Sequence, residues 1–234
     1  MAALGDNLSY LVNVIAAAGG LGTAAMGLVD ATKAFRGGPS NIGFGHIERA
    51  LEPFLAPLGA KSVAFGKAEV LQTLKANWLN GVPKADQKAK TKSLIHLGLT
   101  RGSAARLATA AGVDGKKLAS LAQKTADGEQ PTQDEVNVLG QFDAVLSAVL
   151  DTAYERADQQ YRNASKFLAM LAATLLGGIG GWIIFDKTSI AYFTSSDFAL
   201  SLLVGVIATP LAPIAKDLTT SLQTAVSAAS ALKR

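Results

Sequence analysis

Along most of the 234 residues a charge falls every few positions, but three windows interrupt that rhythm. Asn7 to Val29, Phe167 to Phe185 and Phe198 to Ala215 contain no Asp, Glu, Lys or Arg. The second is 19 residues long, close to the ~20 that a helix needs to cross a ~30 Å hydrocarbon core. Each window is therefore predicted to be a transmembrane helix, at 7–29, 167–185 and 198–215. A secretory signal peptide is a poorer reading of the first. Its start, "MAALGDNLSY", has no basic residue, and the uncharged run exceeds the ~7 to 15 residues of a typical signal core.

Between the first two windows the pattern becomes short helix-forming pieces divided by breakers. "FRGGPSNIGFGH", Phe35 to His46, belongs to a glycine-rich connector at 30–46, and "PFLAPLGA", "NGVPKADQ" and "ADGEQPTQDE" punctuate a helical domain at 47–165. The last helix of that domain runs from Asp134 towards Lys166, with Phe142, Val145, Leu146, Val149 and Ala153 on its buried side, and enters the second window without a break. Residues 186–197 form a short hairpin. The tail at 216–234 continues as a helix with a weak apolar stripe, Leu218, Leu222, Ala225, Val226 and Ala229. No stretch alternates as a strand does. The expected fold class is all-α, an integral membrane protein with three transmembrane helices and a cytoplasmic helical domain.

Composition agrees with this picture, and the placement of charge extends it. Hydrophobic residues make up 49% and charged residues 17%, with a mean hydropathy of +0.27, so apolar content is concentrated in the windows. Residues 30–166 hold 18 of the 22 Lys and Arg, against 14 Asp and Glu, while the hairpin has one Lys and two Asp. The basic residues nearest the windows are Lys33, Arg36 and Arg49, then Arg156, Arg162 and Lys166, then Lys216. Cytoplasmic loops carry the excess of Lys and Arg, which predicts an inner-membrane protein with the N-terminus out, the central segment in, the hairpin out and the C-terminus in. The absence of cysteine excludes disulfides, thiolate zinc sites and thiol catalysis.

The glycines of "LLGGIGGWIIF", Leu175 to Phe185, pose a choice between a phosphate cradle and a helix-packing face. A cradle needs a preceding strand and a following amphipathic helix, and its Lys and Ser or Thr are replaced by Trp182 and Ile183. Between lipid tails, small residues at every fourth position let backbones approach closely. Ala173, Gly177 and Gly181 form such a stripe in the second window. Ala16, Gly20 and Ala24 form one in the first, next to Gly19, Thr23 and Gly27. These faces predict a homo-oligomer in the lipid bilayer, structural or pore-like, with no enzymatic activity and no cofactor. The windows hold no ionisable side chain for a proton or ion relay. Pro210 and Pro213 should bend the third span near its cytoplasmic end.

Three polar features of the central segment offer further chemistry. "ARLATAAGVDGKKLASLAQK", Ala105 to Lys124, resembles the helix-turn-helix superfamily over those 20 residues. That resemblance implies a recognition helix starting at Lys116 and Lys117, with Arg101, Arg106 and Lys124 on phosphates. A membrane-tethered DNA-binding protein is thus the alternative function. An ordinary helical hairpin has the same spacing, and nucleic acid is the less expected partner because Ala119, Ser120 and Gln123 make a sparse base-reading set. Lys84, Lys88, Lys90 and Lys92 suit either anionic lipid heads or a solvated helix start. Asp151, Glu155 and Asp158, beside Arg156 and Arg162, read as ion pairs along one helix surface. His46 and His96 lack a second ligand at metal spacing, so no metal is expected. A protein partner could dock on the cytoplasmic domain.

The order "VLDTAYERADQQYRNASKFLAML", a span, a short loop and a last span with prolines resembles a group of uncharacterised bacterial multi-span membrane proteins. Their F-D-x-x-M-x-R helix falls on Leu150, Asp151, Tyr154 and Arg156, two of which differ from the pattern. The resemblance covers the C-terminal third and implies topology without implying an activity.

Overall fold

The computed structural model describes residues 2–32, 37–59, 66–185 and 190–231. The expectations placed on Lys33, Arg36, the first part of the hairpin and the side chains of Lys216, Leu218, Leu222, Ala225, Val226 and Ala229 lie outside what is described. All regular structure among the described residues is helical. The elements are α1 Ala2–Ala31, α2 Ser40–Leu55, α3 Lys67–Leu79, α4 Lys84–Leu97, α5 Arg101–Ala111, α6 Gly115–Asp127, α7 Gln133–Ile184 and α8 Ser196–Ala231. Short 3-10 turns occupy Ala56–Gly59 and Ile190–Tyr192. The chain divides into two compact units, one of Ser40–Tyr161 and one of Met1–Pro39 with Arg162–Arg234.

The Ser40–Tyr161 unit has a conventional apolar interior. Phe44, Ile47, Leu51 and Phe54 of α2 meet Leu74 of α3, Ile95 of α4, Leu107 of α5, Leu118 of α6 and the Val138, Phe142, Leu146, Leu150 and Tyr154 row of α7. The α7 row advances in steps of four, the helical period. Its neighbours Val145 and Val149 are only partly buried, because they face a groove rather than the core.

Side chains at the helix ends settle backbone groups that the helices leave unpaired. The Thr100 hydroxyl accepts from Ser103 N–H while Ser103 Oγ accepts from Thr100 N–H. The Asp114 carboxylate accepts from the N–H groups of Lys116 and Lys117. Gly112 and Gly128 close α5 and α6 at φ 65° and 72°, where a side chain would be strained. The connector expected over 30–46 is shorter than its glycines suggest, since α2 already begins at Ser40. Gly43 is there for close approach. A methyl group on it would lie 3.1 Å from the carbonyl carbon of Ala157 and 3.1 Å from the Trp78 ring.

In the other unit, α1, the end of α7 and α8 reverse the usual distribution of side chains. Their shared interior is Ala25, Ala173 and Ala208, each 0% exposed, while Leu175, Ile183 and Ile184 are 67%, 72% and 78% exposed. Leu200, Leu203, Ile207 and Ile214 of α8 also face outward. Water would penalise this arrangement, whereas a bilayer accommodates bulky apolar groups outside and leaves close packing to small ones. All three helices are long and apolar enough to cross a membrane.

Their directions depart from the expected alternation. Successive crossings alternate, so the first and third of three spans must run parallel. Instead Gly19 meets Ala215, Gly22 meets Ala212 and Ala208, and Ala25 meets Ala208, so α1 runs antiparallel to α8. α7 and α8 are antiparallel as well, with Gly177 and Gly181 against Ser201, and Gly205 against Ala173 and Thr174. α1 therefore runs in the same sense as α7. Both could cross one bilayer completely only if the 32–166 segment crossed back, and no charge-free window exists there. The arrangement with the N-terminus and C-terminus on opposite sides is thus not the one these contacts form.

Candidate functional site

The site with the most defined geometry is the small-residue seam between α1, α7 and α8. A methyl group on Gly177 would lie 2.7 Å from the Ser201 carbonyl oxygen and 3.4 Å from Gly205 Cα. One on Gly205 would lie 2.7 Å from the Ala173 carbonyl oxygen, and one on Gly22 would lie 2.7 Å from the Ala208 carbonyl carbon. Real Cβ atoms do not approach so closely, and backbone does not give way as a flexible side chain does. Gly181 makes room for the Ser201 side chain and the Tyr192 hydroxyl. Tyr192 is wholly buried and donates its hydroxyl to the Gly178 carbonyl at 3.0 Å. Phe193 and Phe198 meet its ring edge-on, and Trp182 leans on Phe193 in a tilted contact. Such an aromatic group beside a short loop is typical of the membrane boundary.

The residues expected to pack divide between two environments. Ala173, Gly177 and Gly181 lie against α8 of the same chain, so their spacing is explained without a second copy. Ala16, Gly20 and Ala24 face outward, with nothing within 4 Å of a methyl group on Gly20 or on Gly27. The face of α1 that meets α8 is Ala18, Gly19, Gly22, Ala25 and Val29. Gly22, Gly205 and Tyr192 were missed at the level of sequence. The signal for two of them was present, since Ala18 and Gly22 are spaced by four, as are Ser201 and Gly205.

Four lysines are engaged by carboxylates of α7. Lys84 pairs with Asp158 at 3.1 Å and Lys88 pairs with Asp151, so both carboxylates reach across to α4. Lys90 and Lys92 have no ion pair among the described residues. Lys117 pairs with Asp134 at 2.9 Å, and that hydrogen bond raises its pKa above the ordinary lysine value. Lys124 pairs with Glu135 at 3.0 Å. Lys116 remains exposed. α5 and α6 are two short helices joined by a tight turn at Gly112, and α6 presents Lys117, Ser120 and Lys124 to carboxylates at the start of α7. A phosphate backbone would have to compete with those carboxylates.

Glu135 is the most strongly perturbed group. The Ser120 hydroxyl, the Thr132 N–H and the Lys124 ammonium all donate to its carboxylate and hold its pKa at about 2. Thr132 and Glu135 also cap α7 reciprocally. His96 bonds Asp143 at 2.6 Å, beside the Phe142 ring. No group of three or more His, Cys, Asp or Glu among the described residues could hold a metal. Comparison with family models, with curated proteins and with solved structures finds no match to this chain.

Proposed function

We propose that the chain is a non-catalytic membrane protein, in the bacterial inner membrane, that serves as a structural scaffold by assembling with copies of itself. In this reading α7 and α8 cross as a hairpin, with the 186–197 loop outside and the basic helical unit in the cytoplasm, where its surface is available to a protein partner. α1 enters from the cytoplasmic side and lies antiparallel along α8 within its apolar window. The seam fills the space between the three helices within one chain, so any pore-like path has to run between copies.

The observation that carries self-assembly is the contrast between outward faces. α7 and α8 present Leu, Ile and Phe to their surroundings, as lipid contact favours, but between the exposed Val14 and Leu28 the outward face of α1 is Ala16, Gly20, Thr23, Ala24 and Gly27. A flat face of small residues suits another helix better than it suits acyl chains. Lys117 and Lys124 are already paired, and no observation favours the DNA-binding alternative over this reading. The test is the mass of the full chain in mild detergent. A discrete oligomer is expected, with Gly20→Leu yielding a folded monomer. A monomeric wild type at every workable concentration overturns the scaffold.

A further inference from the structure

Hydroxyls on the apolar helices divide into two kinds. Thr23, Thr174 and Ser201 each donate to the carbonyl four residues back, at 2.9, 2.8 and 2.8 Å, the local bond open to any Ser or Thr inside a helix. Ser165 Oγ of α7 and Thr209 Oγ1 of α8 are buried and have no hydrogen-bond partner among the described residues. These two lie on facing sides of one seam. Gly177 meets Ser201, and Gly205 meets Ala173 and Thr174, so a turn back along α7 matches a turn forward along α8. That register sets Ala169 opposite Thr209 and Ser165 opposite Pro213. The seam is still closed at this level, since Ala169 is 2% and Thr209 4% exposed. A third polar group joins them. Pro213 lies inside α8 and has no N–H to give, so the carbonyl of Thr209, four residues earlier, loses its helical donor.

We propose that one water molecule bridges Ser165, Thr209 and the Thr209 carbonyl, and so ties the proline turn of α8 to α7. The chemistry selects water. It donates to the carbonyl and accepts from a hydroxyl on each helix, which makes the ~3 hydrogen bonds typical of an internal water. Ordered water is also one of the means by which proline-interrupted membrane helices restore backbone pairing. A cation would find neutral oxygens and no carboxylate, with Lys166 as the adjoining residue, and an anion would face the carbonyl; either charge would be buried without compensation. The consequence is mechanical: the bend at Pro210 and Pro213 is held against α7 and does not swing freely. The inference concerns contacts within one chain, independent of self-assembly and of which way the spans face.

The experiment is water-edited solid-state NMR of the full chain in phosphatidylcholine bilayers, with serine and threonine labelled at Cβ. Magnetisation from water should reach Thr209 and Ser165 well before Thr174 and Ser201, which share the seam but are satisfied by backbone carbonyls. Thr209→Val keeps the shape of the side chain without its hydroxyl and should abolish early transfer to Ser165 on the other helix, while Thr209→Ser should preserve it. Pro213→Ala restores an N–H to the Thr209 carbonyl and should slow transfer to both residues. Unshifted Thr174 and Ser201 signals show that the seam is intact in each variant. Transfer to Thr209 and Ser165 as slow as to Thr174 in the unmodified chain overturns the proposal, since the two hydroxyls would then be dry. So does early transfer to Ser165 that persists in Thr209→Val, because Ser165 would then be wetted from the surface alone.

Discussion

At the scale of single residues, the glycines of this chain sort by what lies opposite them. Gly22 and Gly205 face backbone atoms within 3 Å of where a side chain would begin, whereas Gly20 and Gly180 face open space. Leucine at Gly22, Gly177 or Gly205 must force two helices apart, a cost of at least the ~1 to 3 kcal/mol of ordinary overpacking. Leucine at Gly20 or Gly180 should alter stability by no more than the ~0.5 kcal/mol usual for surface changes. Gly178 lies between the two classes, because the atoms near it are the flexible ends of Leu202 and Phe198. Thermal unfolding of the full chain in detergent separates the two groups, and equal losses at Gly22 and Gly20 would show that the seam is misplaced. Spacing alone could not choose between faces of α1. Seven of the twelve residues from Ala16 to Gly27 are glycine or alanine other than Ala18 and Ala25, so small pairs four apart occur all around the helix, and the choice depends on the contours of α8.

At the scale of elements, the breakers after Trp78 and around "ADGEQPTQDE" were legible, and so was the passage of one helix from the polar domain into the second window. The connector was misjudged because glycine there serves close packing at Gly43 and positive φ at Gly37 and Gly38, two roles that look alike in sequence. The start of α7 was legible in principle from "TQDE", a capping-box pattern. That pattern gives a prediction about pH. The Glu135 pKa falls from an ordinary 4.5 to about 2 in the folded chain, so its contribution is fully present above pH 4.5 and is lost as pH falls towards 2. Glu135→Gln should therefore lower the melting temperature at pH 7 and flatten its decline between about pH 4.5 and 2. An unchanged acid slope in that variant would place the acid sensitivity elsewhere.

At the scale of the whole molecule, the apolar windows announced helices able to cross a membrane, but hydropathy has no direction. The sense of α1 is set by where Gly19, Gly22 and Ala25 find room on α8, a long-range contact with no local signature. The result is a hairpin of α7 and α8 with α1 laid antiparallel on α8, so that Tyr10 points towards the same end as the tail of α8. The most direct test uses single cysteines in this cysteine-free chain, at the exposed positions Tyr10, Thr194 and Asp217, with an impermeant maleimide on intact cells. The account predicts labelling of Thr194→Cys alone, with Tyr10→Cys and Asp217→Cys both reacting only after the membrane is opened. Labelling of Tyr10→Cys together with Thr194→Cys on intact cells would restore three alternating spans and contradict the antiparallel seam.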